Sequence, residues 1–178
     1  MKHYFKLLLL LVVVSIFYAC SRPLPPPEWA YEKEAIKINL KADRDLNEHG
    51  GMPHPLHSCI YQLKDLNAFI KLTGYEDGLR ELLNYRCAGF DALAASPMDI
   101  QPKQELTLTL DRAEGAKYVA IAAGYYVLSK DRTIRWIEIP VVTERRGFLK
   151  RKKIQKPGHL NIEIILGPKQ IQTFKGKQ

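Results

Sequence analysis

The residue best placed for covalent chemistry is Cys20, directly after Tyr18-Ala19 and ahead of Ser21-Arg22. Upstream stand a basic start, Met1 to Lys6, and a largely apolar stretch of eleven residues from Leu7 to Phe17. A cationic head, an apolar middle and a small residue at the cut describe a secretory signal. A cysteine immediately after that small residue supplies the thiol on which a bacterial lipoprotein carries its diacylglycerol. Eleven apolar residues fall well short of the roughly 20 needed to cross a bilayer as a helix, which argues against a retained membrane span. The expectation is removal of residues 1–19 and a lipid on Cys20. Ser21 carries none of the acidic character that holds lipoproteins at the inner membrane. The expected address is therefore the outer membrane, lipid-anchored and facing the periplasm.

A second group with ligand chemistry is His49, His54 and His57, close in sequence to Cys59. Imidazole and thiolate suit zinc or copper, but this spacing matches no standard ligand framework. The alternative is solvated loop histidines, and no metal or other cofactor is expected. Cys59 and Cys87 remain an even pair once Cys20 is lipidated. In an oxidising compartment they form either a disulfide or two separate buried thiols. No Gly-x-Ser-x-Gly elbow, Gly-rich phosphate loop or His-Glu-x-x-His pair occurs, so no enzyme is indicated.

The third group is basic: Arg145, Arg146, Lys150, Arg151, Lys152, Lys153 and Lys156. It reads either as a charged, solvated connection that guards an edge or as a contact for an anionic surface, lipid or protein. The whole chain carries a net charge of +8, of which Lys2 and Lys6 belong to the signal. Export makes nucleic acid a poor match for this charge. Acidic protein or lipid headgroups are the natural complements.

The elements that position these groups are mostly strands. Residues 20–34 form the lipidated cysteine and a proline-rich tether, stiff enough to hold the domain up to roughly 40 Å from the lipid. Period-two alternation marks strands in the domain at 35–178. It is clear at Ile36-Ile38-Leu40-Ala42, at Leu106-Leu108-Leu110, and at Leu160-Ile162-Ile164-Leu166. Tyr118 to Val127 suits a central strand buried on both faces. His57–Lys64, Ile134–Val142 and a short run near Met98–Ile100 add strands, with Trp136 or Ile137 facing inward. Between Asp65 and Tyr85, Leu66, Phe69, Ile70, Leu79, Leu82 and Leu83 fall at helical spacing, with Gly74 between two short runs. The sum is an antiparallel β-sandwich of six or seven strands with a helical insertion after the second.

Leu46-Asn47, Gly51, Pro53 and Pro55-Leu56, leading into Ile60-Tyr61-Gln62-Leu63-Lys64 and Phe69, resemble the outer-membrane lipoprotein family of type VI secretion systems, TssJ (SciN). Glu105 to Leu108 and Ala116 to Tyr125 resemble the paired central strands of that family. Glu48 and Met52 depart from its usual Pro and Arg, and Cys59 and Cys87 are not part of its pattern. The resemblance implies a transthyretin-like β-sandwich without catalytic activity. It also implies a structural docking role, binding the periplasmic C-terminal domain of the inner-membrane protein TssM, which with TssL completes the membrane complex. By resemblance, the contact falls on Leu46, Asn47, Gly51, Met52 and Pro53. The competing class is a periplasmic β-sandwich that binds a glycan or metal through the histidine loop.

Overall fold

A computed structural model of the chain describes residues 24–88, 90–147 and 152–177. Cys20, the signal segment 1–19, and Lys150 and Arg151 lie outside the described residues. Two four-stranded sheets face each other. In the first, β10 (Ile171–Lys177), β9 (Leu160–Leu166), β1 (Glu32–Ala42) and β4 (Glu105–Arg112) lie in that order. In the second the order is β3 (Ala94–Ile100), β2 (Leu56–Leu63), β5 (Tyr118–Ala123) and β6 (Ile134–Glu138). Neighbouring strands are antiparallel except β1 and β9, which run parallel with Ile36 opposite Leu160.

The alternation in β1 has a direct consequence: Ile36, Ile38 and Leu40 are buried between the sheets while Lys37, Asn39 and Lys41 face solvent. They pack with Ile162 and Ile164 of β9 and with Ile60, Val119 and Ile121 of the second sheet. Each such side chain contributes about 2 kcal/mol when removed from water. The second sheet is covered on its other face as well. There Cys59, Tyr61, Ala120 and Ala122 pack against Phe69 of α1 (Asn67–Leu72) and Leu79 and Leu82 of α2 (Glu76–Leu82). The Tyr61 hydroxyl donates to the Leu82 carbonyl, tying strand to helix. Cys59 and Cys87 are joined in a disulfide with their Cα atoms 5.7 Å apart, pinning the segment after α2 to the sheet. The sequence separation of 28 corresponds to about 3–4 kcal/mol in the chain-entropy description.

Several boundaries differ from the sequence expectation. β1 begins at Glu32, inside the expected tether, and Trp29 already packs against the core. β5 ends at Ala123 instead of running to Val127: Gly124 makes one more ladder-like bond, to the His57 carbonyl, and the Tyr126 amide then turns to the Asn47 side chain. The expected strand Ile134–Val142 is two strands broken at Pro140, which has no N–H for a ladder. Ile137 packs inward, whereas Trp136 is half exposed beside Tyr118. After Pro140 the chain forms a separate two-stranded ribbon, β7 (Val141–Arg146) with β8 (Lys152–Pro157). The described residues thus contain ten strands, more than the six or seven expected.

Candidate docking surface

The β1–β2 connection, 43–55, is held from both ends by backbone bonds. Asp43 N donates to Leu166 O (2.8 Å), Glu48 N to Pro168 O (2.8 Å) and His54 N to Leu46 O (2.9 Å). Between these ties the chain reverses at Gly50-Gly51, where both φ angles are positive (61° and 79°). Glycine takes that conformation without the Cβ clash other residues suffer. The turn is closed on both sides, with His49 N donating to Met52 O (3.0 Å) and Met52 N to His49 O (3.2 Å). Glu48 accepts from Gly51 N (2.9 Å) and pairs with Lys169 (3.4 Å). The Gly51 amide first, and then the Lys169 ammonium, hold the Glu48 carboxyl below its ordinary range.

Asn47 knits this loop to its neighbour. Its side-chain amide donates to Pro55 O (3.1 Å) and its carbonyl accepts from Tyr126 N (2.9 Å). Its own φ of 50° suits asparagine, one of the few residues that enter the left-handed region readily. The His49 ring stacks on Tyr126 with centroids 3.4 Å apart. The product is a preformed surface. Tyr126 (66% exposed) and Val127 (55%) border a hollow of about 340 Å³ that also meets His49, Arg132 of α3 (Lys130–Thr133), Pro168 and Lys169, and Met52, 62% exposed, stands beside it on the His49–Met52 turn.

The residues expected at the contact divide by role. Gly51, Met52 and Pro53 are exposed, and Asn47 is half-buried with its side chain committed to the loop. Leu46 is fully buried in the inter-sheet core, so it fixes the loop and presents nothing to a partner. Tyr126, Val127, Arg132 and Lys169 join the surface from other connections and were absent from the sequence reading. For Tyr126 and Val127 the signal was Gly124, just past the central strand, after which Tyr125 stays in the core and Tyr126 faces out.

The histidines do not form one site. His49 and His54 lie in the loop with ring centroids 6.4 Å apart. His57 instead bonds Asp99 through Nδ1 (2.7 Å) and lies 3.7 Å from the Cys59 sulfur. Among the described residues, the group spaced to hold a metal is His57, Cys59 and Cys87. Its two sulfurs are bonded to each other and offer no thiolate. The basic residues are placed elsewhere: Arg145, Arg146, Lys152, Lys153 and Lys156 lie on the β7–β8 ribbon.

Comparison with known proteins agrees with this fold. The chain is similar to the type VI secretion lipoprotein TssJ1 from Pseudomonas aeruginosa, with TM-score 0.57 and 20% identity over 86% of this chain and 98% of that one. It is similar to Serratia marcescens Lip, a membrane-bound component of the type VI secretion system, with TM-score 0.55 and 16% identity over 80% and 96%. A chain in the structure described as the TssM C-terminal domain from EAEC matches with TM-score 0.55 and 16% identity over 79% and 96%. No curated protein sequence matches the chain. The family described as type VI secretion lipoprotein, VasD, EvfM, TssJ (T6SS-SciN), matches residues 34–168, including the 43–55 loop and strands β2 to β9. The chain belongs to the type VI secretion lipoprotein family.

Proposed function

We propose that the chain carries its lipid on Cys20 and is anchored in the outer membrane, facing the periplasm. It serves as a docking component of the type VI membrane complex, without catalytic activity. Its partner is the periplasmic C-terminal domain of a TssM-type protein, held by Gly51, Met52 and Pro53 together with Tyr126 and Val127. The observation that carries this reading is the preformed surface around Met52 and the His49–Tyr126 stack. Exposed aromatic and thioether side chains on a rigid frame bind with little ordering cost. The surface also stands at the far end of β1 from the tether. An eleven-residue strand is about 36 Å long, so one strand connects anchor to partner. β1 is bonded along both edges, to β4 and β9, and a pull along it must shear both ladders.

Site-specific photocrosslinking tests the assignment. A crosslinker at Met52 or Tyr126 should trap the TssM-type domain, and one at Lys37 on the outer sheet face should not. Equal trapping at all positions, or none at Met52 and Tyr126, would sink the loop assignment.

A further inference from the structure

The β7–β8 ribbon pairs with neither sandwich sheet, and every residue of β7 is exposed. An isolated two-stranded hairpin is marginal in water. This one also sets Arg145 opposite Lys153 and Arg146 opposite Lys152, and like charges directly opposed weaken a ladder. Between Val141 and Pro157 the sequence has seven cations and a single acid, Glu144. Glu144 is already paired with Lys156 at 2.6 Å. Such an arrangement becomes favourable when anions neutralise it.

The base of the ribbon identifies which anions are within reach. Gly158 N donates to Pro140 O (2.7 Å), closing the ribbon's foot. The next residue, His159, lies 3.2 Å from Glu32, the first residue of β1. Glu32 is in turn paired with buried Arg112 at 2.9 Å, which also holds the Ala30 carbonyl. The ribbon therefore leaves the sandwich where the tether joins it, at the opposite end from Met52. Of the other acids at this end, Asp111 accepts from Tyr31 and from Glu34 N and Glu34 pairs with Lys33, while Glu28, Glu114 and Glu138 are exposed and are outnumbered by the ribbon's seven cations. Eleven residues separate Cys20 from Glu32, so this end stays within about 40 Å of the lipid even with the tether fully extended. A six-residue strand adds about 20 Å of reach.

We infer that the β7–β8 ribbon is a membrane-contact element that binds the phosphate headgroups of the leaflet holding the lipid. Arg145, Arg146, Lys152 and Lys153 carry the contact. The inference rests on the reading of Cys20 as the lipid-bearing residue. Together the lipid and the ribbon form a two-point attachment that orients the Met52 surface away from the membrane. Each cation near an anionic surface is worth about a fivefold factor in binding, and salt weakens it.

The test uses the mature lipidated protein on vesicles of phosphatidylcholine alone or with phosphatidylglycerol, read by flotation and amide hydrogen exchange. The protein should float with both compositions. Exchange in the ribbon should slow by at least about fivefold only with phosphatidylglycerol. Combining Arg145→Glu with Lys153→Glu should abolish that difference and leave exchange in the 46–53 loop unchanged. Flotation with equal ribbon exchange on both vesicles overturns the proposal. So does ribbon protection that appears only on adding a TssM-type domain, since the ribbon would then belong to a protein contact. A protein that floats with neither refutes the Cys20 reading and takes the proposal with it.

Discussion

At one end of β1 the chain is tied down by hydrogen bonds; at the other it extends a ribbon in which cations outnumber acids seven to one. The 43–55 loop ties most of its polar groups to itself and to neighbouring connections, through Asn47, Glu48 and the closed turn at Gly50-Gly51, with His54 Nδ1 buried and unpartnered. What it exposes is shape: Met52, Pro53 and the His49–Tyr126 stack. The β7–β8 ribbon places its like charges opposite one another, and what it exposes is charge. A surface built on shape selects one partner through close packing. A surface built on charge tolerates any arrangement of phosphates and is sensitive to salt. The proposed partners follow this division, a protein domain at the loop and a lipid sheet at the ribbon.

The largest effect should come from beneath both ends. Ile38 is fully buried in the middle of β1, and Ile38→Ala should cost about 4 kcal/mol in denaturant unfolding, weakening both ends together. Next comes the tether end alone. The Arg112 side chain is 3% exposed but Glu32 is 35% exposed and can be resolvated, so Arg112→Ala should cost about 2 kcal/mol. That variant should loosen hydrogen exchange at residues 29–34 before it touches the loop. At the loop, Gly51→Ala meets open space but must hold φ near +79°, and should cost about 1 kcal/mol with its effect confined to 46–54.

The smallest effect is a pH dependence at the loop. The Glu48 carboxyl is lowered in the folded state, so its contribution is present above its ordinary value of 4.5. It is lost as pH falls through the folded value. The Gly51 amide resonance should follow that titration, and Glu48→Gln should remove it.

The strands were legible where burial is one-sided. Ile36, Ile38 and Leu40 alternate with polar residues because only one face of β1 meets the second sheet. The two short helices were legible as well, since Phe69, Leu79 and Leu82 follow the helical period. The limits of β5 were not, because Tyr125 to Val127 are as apolar as the strand before them. Only Gly124 marks the turn. Pro140 was the corresponding mark in the next segment, splitting one apparent strand into β6 and β7.

Half of the candidate surface could be found in sequence, namely the Gly/Pro connection itself. The other half comes from Tyr126, Val127 and Lys169, which approach the loop only through sheet pairing across about 80 residues or more. Leu46 illustrates the converse. A residue in a loop motif looked available for contact, yet its apolar side chain completes the core. Cys59 and Cys87 could be counted but not measured until strand and helix were placed against each other.

Calorimetric titration of a TssM-type periplasmic domain into two variants tests the division of labour most directly. Met52→Asp should weaken binding by about 30-fold or more, as expected for a central contact residue, with an unchanged melting temperature. Arg145→Glu combined with Lys153→Glu should bind like the parent protein. The reverse result, with the ribbon variant losing the partner and the Met52 variant keeping it, would contradict the account.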